Sequence, residues 1–323
     1  MQIYKKGHLL PNEPSLIQSS ESKKLSMRYL YPALRQIEVF LLYLRKDVDQ
    51  QLKTSQPFKS GKPYPLGQCL EISLAMKDRF KTMHLLRLKG DLAVGRGALV
   101  DYLRNGGAIR QIWGDLRASY FQNAFQIGSY YVDVSNDTVV ATKPKVEILP
   151  FDVAGMSPIK DYYHYAEIAK RYWRAKIVPN HVIPELAPFA PLLLVLPGGR
   201  LRIKASSNYM LALVLREQFR ICEVVIEQEP LDSKLFSALK QYMPTHLVKV
   251  VSSSIEGRLI GLDLCKQERN GFVSKSNSRI EMMMRATSNR IVAVNNHFSQ
   301  FILNEEITEL FDKSFEANTQ NNS

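Results

Sequence analysis

The sequence predicts an α+β fold, and three observations carry that reading. Apolar residues recur at helical spacing from Leu34 through Ile37, Leu41 and Leu44 to Val48. Strand-like runs at 107–114 and 123–133 are bounded or interrupted by glycine and turn residues. A later pair at 192–196 and 201–204 flanks Pro197-Gly198-Gly199 and reads as a hairpin.

In order along the chain, residues 1–24 are polar and proline-punctuated and are expected to form an arm ahead of a domain over 25–150. A helix runs from Pro32 to about residue 48. The Ser, Gly and Pro residues of 50–63 then form a loop that delivers the chain to Cys69. Leu70, Leu74, Lys77 and Lys81 are expected to mark opposite sides of the next helix, with Ile72, Ala75, Met76 and Phe80 in its buried stripe. Residues 85–88 suggest a short extended piece, and 98–105 one or two helical turns closed by Gly106-Gly107. Ile127-Gly128-Ser129-Tyr130 turns the second strand into a third, and Ser135-Asn136-Asp137-Thr138 ends that hairpin with turn chemistry.

The three prolines within 144–158 place a domain boundary there, followed by a second α+β region over 155–315. That region opens with an aromatic helix at 161–176 and crosses an irregular stretch at 179–191 to the hairpin. Asn208 caps a long helix to about 226, and Asp232 or Ser233 caps another through 242. Short strands at 247–251 and 291–294 and a last helix near 298–311 complete it. Residues 316–323 form a polar tail.

A length of 323 residues favours two domains. With 45% hydrophobic and 23% charged residues, the chain can bury a sizeable core. Its 43 Lys and Arg against 31 Asp and Glu leave a net charge of +12, which favours an acidic partner, whether an acidic protein, an anionic membrane or a polyanion such as nucleic acid. The bases are spread from Lys5 to Lys313 without a run of five or six, so a dedicated nucleic-acid arm is not visible. Arg110 and Arg117, either side of Trp113, are expected to be its best-fixed bases.

Three cysteines, none at CxxC spacing, are too few for a disulfide framework and point to a reducing compartment without structural zinc. The N-terminal residues lack the apolar core of a secretory leader, and the longest apolar stretches fall far short of a membrane span. A soluble, cytoplasmic protein is expected, with delivery by another secretion route left open. No G-x-x-x-x-G-K-[ST], no strand–helix G-x-G-x-x-G and no H-E-x-x-H occurs, so neither cofactor nor metal is expected.

The chemistry centres on one order of motifs. Cys69 stands in Pro65-Leu66-Gly67-Gln68-Cys69-Leu70-Glu71-Ile72-Ser73. The strand Gly107-Ala108-Ile109-Arg110-Gln111-Ile112-Trp113-Gly114 follows, and then the strand from Asn123 to Asp133. Together they resemble the core of the transglutaminase-like branch of the papain-like cysteine enzymes. In that family a cysteine opens a helix, a G-x-x-A/R-x-V-x-G strand follows, a strand written H-A-W/F carries the histidine, and the next strand supplies an aspartate. The resemblance covers about a third of the chain. It implies a helix-plus-antiparallel-sheet core with Cys69 as nucleophile and Asp133 as orienting carboxylate. The histidine position, however, reads Asn123.

A cysteine at a helix start faces the positive end of the dipole, which lowers a thiol pKa; the plain alternative is a small buried hydrophobe. An amide cannot take and return a proton as an imidazole does. Either the chain is a pseudoenzyme on the retained scaffold, or another histidine (His84, His164, His181, His246 or His297) reaches the site, or the register is shifted by one. His297, after an expected strand, is the most interesting of the five. Asp133 could hydrogen-bond the Asn123 amide or be an exposed strand-end carboxylate. Asp137 could replace it or cap its own turn, and Gln68 could donate to an oxyanion. Two functions follow from different classes. One is a non-catalytic binding protein whose basic surface meets an acidic partner. The other is a cysteine-dependent enzyme that transfers acyl groups or hydrolyses amides.

Overall fold

The computed structural model describes residues 8–59, 61–204, 208–272 and 277–311. The first seven residues and the expected tail at 316–323 lie outside the described residues. The fold is α+β. The chain divides into one unit of Asn12–Pro158 and another of Met1–Pro11 with Ile159–Ser323.

In the Asn12–Pro158 unit, α1 (Ser20–Leu25) is capped by the Ser19 hydroxyl, which accepts from the Ser22 amide at 3.1 Å. The residues expected as a free arm are tied down. The Asn12 carbonyl accepts from the Trp113 amide at 2.8 Å, and the Ser15 amide donates to Gln126 Oε1 at 3.0 Å. The long helix α2 (Leu34–Ser55) buries Ile37, Phe40, Leu41, Leu44, Val48 and Leu52 at spacings of three and four, with Arg45 and Asp49 on the same stripe. A two-residue ribbon, β1 (Phe58–Lys59) and β2 (Lys62–Pro63), leads into α3 (Cys69–Thr82).

Leu70, Leu74, Lys77 and Lys81 do not mark opposite sides of α3. All four face solvent, while Ile72, Ser73, Met76 and Phe80 are buried. At 100° per residue the four fall within one narrow stripe. No strand forms at 85–88; a 3-10 turn at Met83–Leu85 leads into irregular chain. Helix α4 (Gly90–Arg104) is fifteen residues long rather than one or two turns. Gly95 obscures it in the sequence, yet a Cβ there would overlap the Gln36 carbonyl, so the glycine permits α2 and α4 to touch.

The sheet is antiparallel in the order β6-β5-β4-β3-β7, built from β3 (Ile109–Leu116), β4 (Tyr120–Ile127), β5 (Tyr130–Asp133), β6 (Glu147–Pro150) and β7 (Met156–Ser157). Strand alternation gives it two faces. Phe125, Ile127, Val132 and the following Val134 join the helical core; Ile112, Leu116, Ala124 and Tyr131 pack with Phe151 and Met156 on the other side.

The second unit holds a three-stranded antiparallel sheet of β8 (Lys176–Pro179), β9 (Leu192–Leu196) and β10 (Arg200–Lys204), with β9 central. Its helices include α5 (Tyr162–Trp173), α6 (Asn208–Arg216), α7 (Arg220–Ile226), α8 (Ser233–Lys240), α9 (Ser254–Phe272) and α10 (Asn277–Phe298). The single helix expected over 208–226 breaks at Gln218 and Phe219, whose φ values of 52° and 64° are left-handed. Residues 247–251 are irregular chain after a turn, and 291–294 lie inside α10, because buried Ile280, Ile291, Val294 and Phe298 follow its 3.6-residue period. The last helix begins at residue 305, not 298.

Candidate functional site

The turn that presents Cys69 is held from two sides. Gly67, at φ +74°, donates its amide to the Thr138 carbonyl at 2.9 Å. Gln68 is fully buried and donates Nε2 to the Gln56 carbonyl at 2.9 Å, while its Oε1 has no partner. The side-chain amide that might have served an oxyanion is thus spent on the loop. Cys69 follows as the first residue of α3.

Helix α3 seats on β4 through Phe80, whose ring meets Phe125 edge-on with centroids 5.0 Å apart. Ser73, one turn along from Cys69, donates its hydroxyl to the Asn123 carbonyl at 3.1 Å. The Asn123 side chain, on the helical face of the sheet, donates Nδ2 to Cys69 Sγ at 3.6 Å. Beside it in the register stands Trp113, stacked on Phe121 at 5.4 Å.

Burial raises the Cys69 thiol above its ordinary value. The Asn123 hydrogen bonds and the Lys59 charge pull the other way, and the Asp133 charge adds to the rise. Desolvation is the largest of these effects, and it keeps the group a protonated thiol at neutral pH.

Asp133 is not beside the Asn123 amide. Ala124, not Asn123, is its cross-strand counterpart in continuation of the β4–β5 register, so the two side chains leave opposite faces of the sheet. Neither is Asp133 an exposed strand end: it is fully buried. Its carboxylate accepts from Gln122 Nε2 at 2.6 Å, the Tyr131 hydroxyl at 3.0 Å and the Ser135 amide at 2.7 Å. Burial raises its pKa against these donors. Ser135 links Asn123 and Asp133, its hydroxyl lying 3.3 Å from the Asn123 carbonyl and 3.0 Å from Asp133 Oδ1.

Asp137 neither replaces Asp133 nor caps its own turn with its carboxylate. It takes both Arg45 Nη1 and Nη2, at 3.0 and 3.1 Å, in a bidentate pair. Arg45 is fully buried, and it also donates Nε to Asp49 at 2.7 Å and Nη1 to the Val134 carbonyl. Asp49 accepts further from Tyr64 and Lys145. Burial alone would raise the Asp49 pKa, but the donors from Lys145, Tyr64 and Arg45 prevail and lower it. This cluster anchors Tyr64 ahead of the cysteine turn and the 136–138 turn whose Thr138 carbonyl holds Gly67. A sequence signal for it existed: Arg45 and Asp49 fall at helical spacing on an otherwise apolar stripe.

Residues 12–158 contain one histidine, His84, fifteen residues beyond Cys69 and therefore roughly 20 Å along the helix axis. The others belong to the second unit. There His164 Nδ1 accepts from the Lys160 amide at 3.3 Å, His181 is fully buried, and His246 and His297 pack ring to ring at 5.7 Å. The aromatic helix α5 buries Tyr162 and Tyr165 in its own core. Cys222 and Cys265 are buried and unpaired.

Gly95-Arg96-Gly97 lies inside α4, and Gly198-Gly199 turns the β9–β10 hairpin. Among the described residues no group of three or more His, Cys, Asp or Glu is placed to hold a metal. Two pockets of about 400 Å³ in the first unit, one beside Arg110 and Tyr102 and one beside Arg35 and Glu147, are lined by neither Cys69 nor Asn123. Comparison with family models, curated proteins and solved structures finds no match to this chain.

Arg110 is half-buried and bonded to the Glu13 carbonyl, and Arg117, in the β3–β4 turn, pairs with Glu147 at 2.8 Å. Of the 20 Lys and Arg and 14 Asp and Glu in the first unit, 9 and 3 lie between Lys53 and Arg96. That difference of six equals the unit's whole excess. No described helix is long and apolar enough to cross a membrane.

Proposed function

We propose that residues 12–158 are a transglutaminase-like scaffold that binds rather than catalyses, and that its basic surface meets an acidic partner. The observation that carries this reading is the group that hydrogen-bonds the thiol. At 3.6 Å from Cys69 Sγ stands an amide that cannot take the thiol proton, and burial favours the protonated thiol. Arg45, Ser73 and Ser135 are used in holding this constellation together.

The reading of Cys69 as an acyl-transfer or amide-hydrolysing nucleophile draws its support from the placement of the cysteine at the first position of a helix. One experiment separates the two. The full-length protein is mixed with p-nitrophenyl acetate, and the burst of nitrophenolate is compared with that of Cys69→Ser. The binding reading expects no stoichiometric burst, together with retention on heparin that weakens as salt rises. A burst lost in Cys69→Ser establishes the enzyme instead.

A further inference from the structure

The exposed stripe of α3 combines two chemistries. Leu70 and Leu74 keep 42% and 46% of their surface in solvent, and Leu85, in the turn that follows, keeps 69%. Lys77 and Lys81 share the stripe, and Arg87 and Lys89 are exposed just beyond it. The acidic Asp78 is engaged by Lys81 at 2.6 Å. The stripe lies within the 53–96 interval that holds the unit's whole charge excess.

We propose that this face docks on an anionic lipid surface, with the leucines entering the boundary between headgroups and acyl chains and the bases meeting lipid phosphates and carboxylates. The inference rests on the binding reading above and names its acidic partner. Charge complementarity selects an anion, and the exposed leucines favour one with an apolar layer beneath its charges. Contacts to nucleic-acid backbones are made by polar and charged groups and leave exposed leucines unused. An interfacial helix face needs both its apolar side chains and its flanking Lys and Arg.

The test is flotation of the full-length protein with vesicles of phosphatidylcholine alone or mixed with phosphatidylserine. Binding is expected only to the mixed vesicles. Each base near such a surface contributes about fivefold to partitioning, so Lys77→Gln/Arg87→Gln should weaken it about 25-fold. Leu74→Ser/Leu85→Ser should weaken it about tenfold, from loss of partly buried apolar surface. Lys23→Gln/Lys24→Gln, on α1, should bind as the wild type does. All these positions are exposed, and an unchanged circular dichroism spectrum confirms that each variant folds. Wild-type binding by the leucine variant overturns the lipid proposal, as does salt-sensitive heparin binding without vesicle binding, and both leave the acidic-partner reading standing. Binding to neither overturns both.

Discussion

Replacing Arg45 by Ala tests whether the buried cluster holds both the first unit and its cysteine turn. The substitution removes every donor seen on the Asp137 carboxylate and one of three on Asp49, and it leaves the Val134 carbonyl without its guanidinium. Breaking a buried ion pair from one side costs about 3–5 kcal/mol, because the remaining charge stays desolvated. Asp49 retains Tyr64 and Lys145, so most of the loss falls on Asp137, and about 4 kcal/mol is expected. With a urea m-value of about 2 kcal/mol/M, the unfolding midpoint should fall by about 2 M. The two tryptophans, Trp113 and Trp173, fall in different units, so fluorescence in a Trp173→Phe background follows the unit that contains Arg45. Iodoacetamide labelling of Cys69 in the native state should also quicken several-fold, since the 136–138 turn no longer holds Gly67 in place. Arg45→Met/Asp137→Leu removes both charges and should recover at least half of the stability. A midpoint within about 0.5 M of wild type, with unchanged labelling, would refute the reasoning.

Further outcomes follow from the same geometry. Cys69 should alkylate more slowly than free cysteine at pH 7, because burial keeps it protonated. It should still outpace the fully buried Cys222 and Cys265, and mass spectrometry of timed labelling decides both orders. His181 is held neutral by burial, with its pKa lowered to about 4 and Nδ1 unpartnered. The unfolded chain therefore takes up a proton that the folded one refuses, and the second unit should lose about 3 kcal/mol as pH falls from about 6.5 to 4. Urea melts at both pH values in a Trp113→Phe background measure this, and a pH-independent midpoint contradicts it. Gly95→Ala should destabilise the first unit by about 3 kcal/mol, since its Cβ has no room against the Gln36 carbonyl. In the same helix Gly97 has open space around it, and Gly97→Ala should stabilise by about 0.5–1 kcal/mol.

What could be read from the sequence followed local periodicity. The stripe of α2, the start of α3 at Cys69 and the β4–β5 turn at Gly128 are each written in a few neighbouring residues. Elements were missed where a non-local contact overrides local chemistry. Gly95 looks like a helix breaker until the Gln36 carbonyl is seen against it. The Val and Ile residues at 291–294 favour a strand, yet helical burial claims them. At the site, the pairing of Cys69 with Asn123 follows from the order of motifs. The separation of Asn123 from Asp133 does not, because it depends on which residue of β4 stands opposite Asp133, and a shift of one reverses the face.

The position of Asn123 suggests why a protonated thiol and an amide make a coherent pair. The Asn123 carbonyl receives the Ser73 hydroxyl from α3 and lies within reach of the Ser135 hydroxyl beyond β5, while its side chain donates to Cys69. One residue thus joins the helix, the strand and the following turn, at 8% exposure. A neutral amide meets that geometry without introducing charge. An imidazole at the same point would bring a titrating group into a desolvated place, where its cationic form is disfavoured unless a carboxylate supports it. The carboxylate the sequence offers, Asp133, faces the other side of the sheet and is already held by Gln122, Tyr131 and Ser135. On the transglutaminase-like reading proposed above, catalysis would therefore need two changes, an imidazole at 123 and a carboxylate on the helical face, where the cross-strand position is Val134. Asn123→His alone should leave p-nitrophenyl acetate turnover at the level of Cys69→Ser.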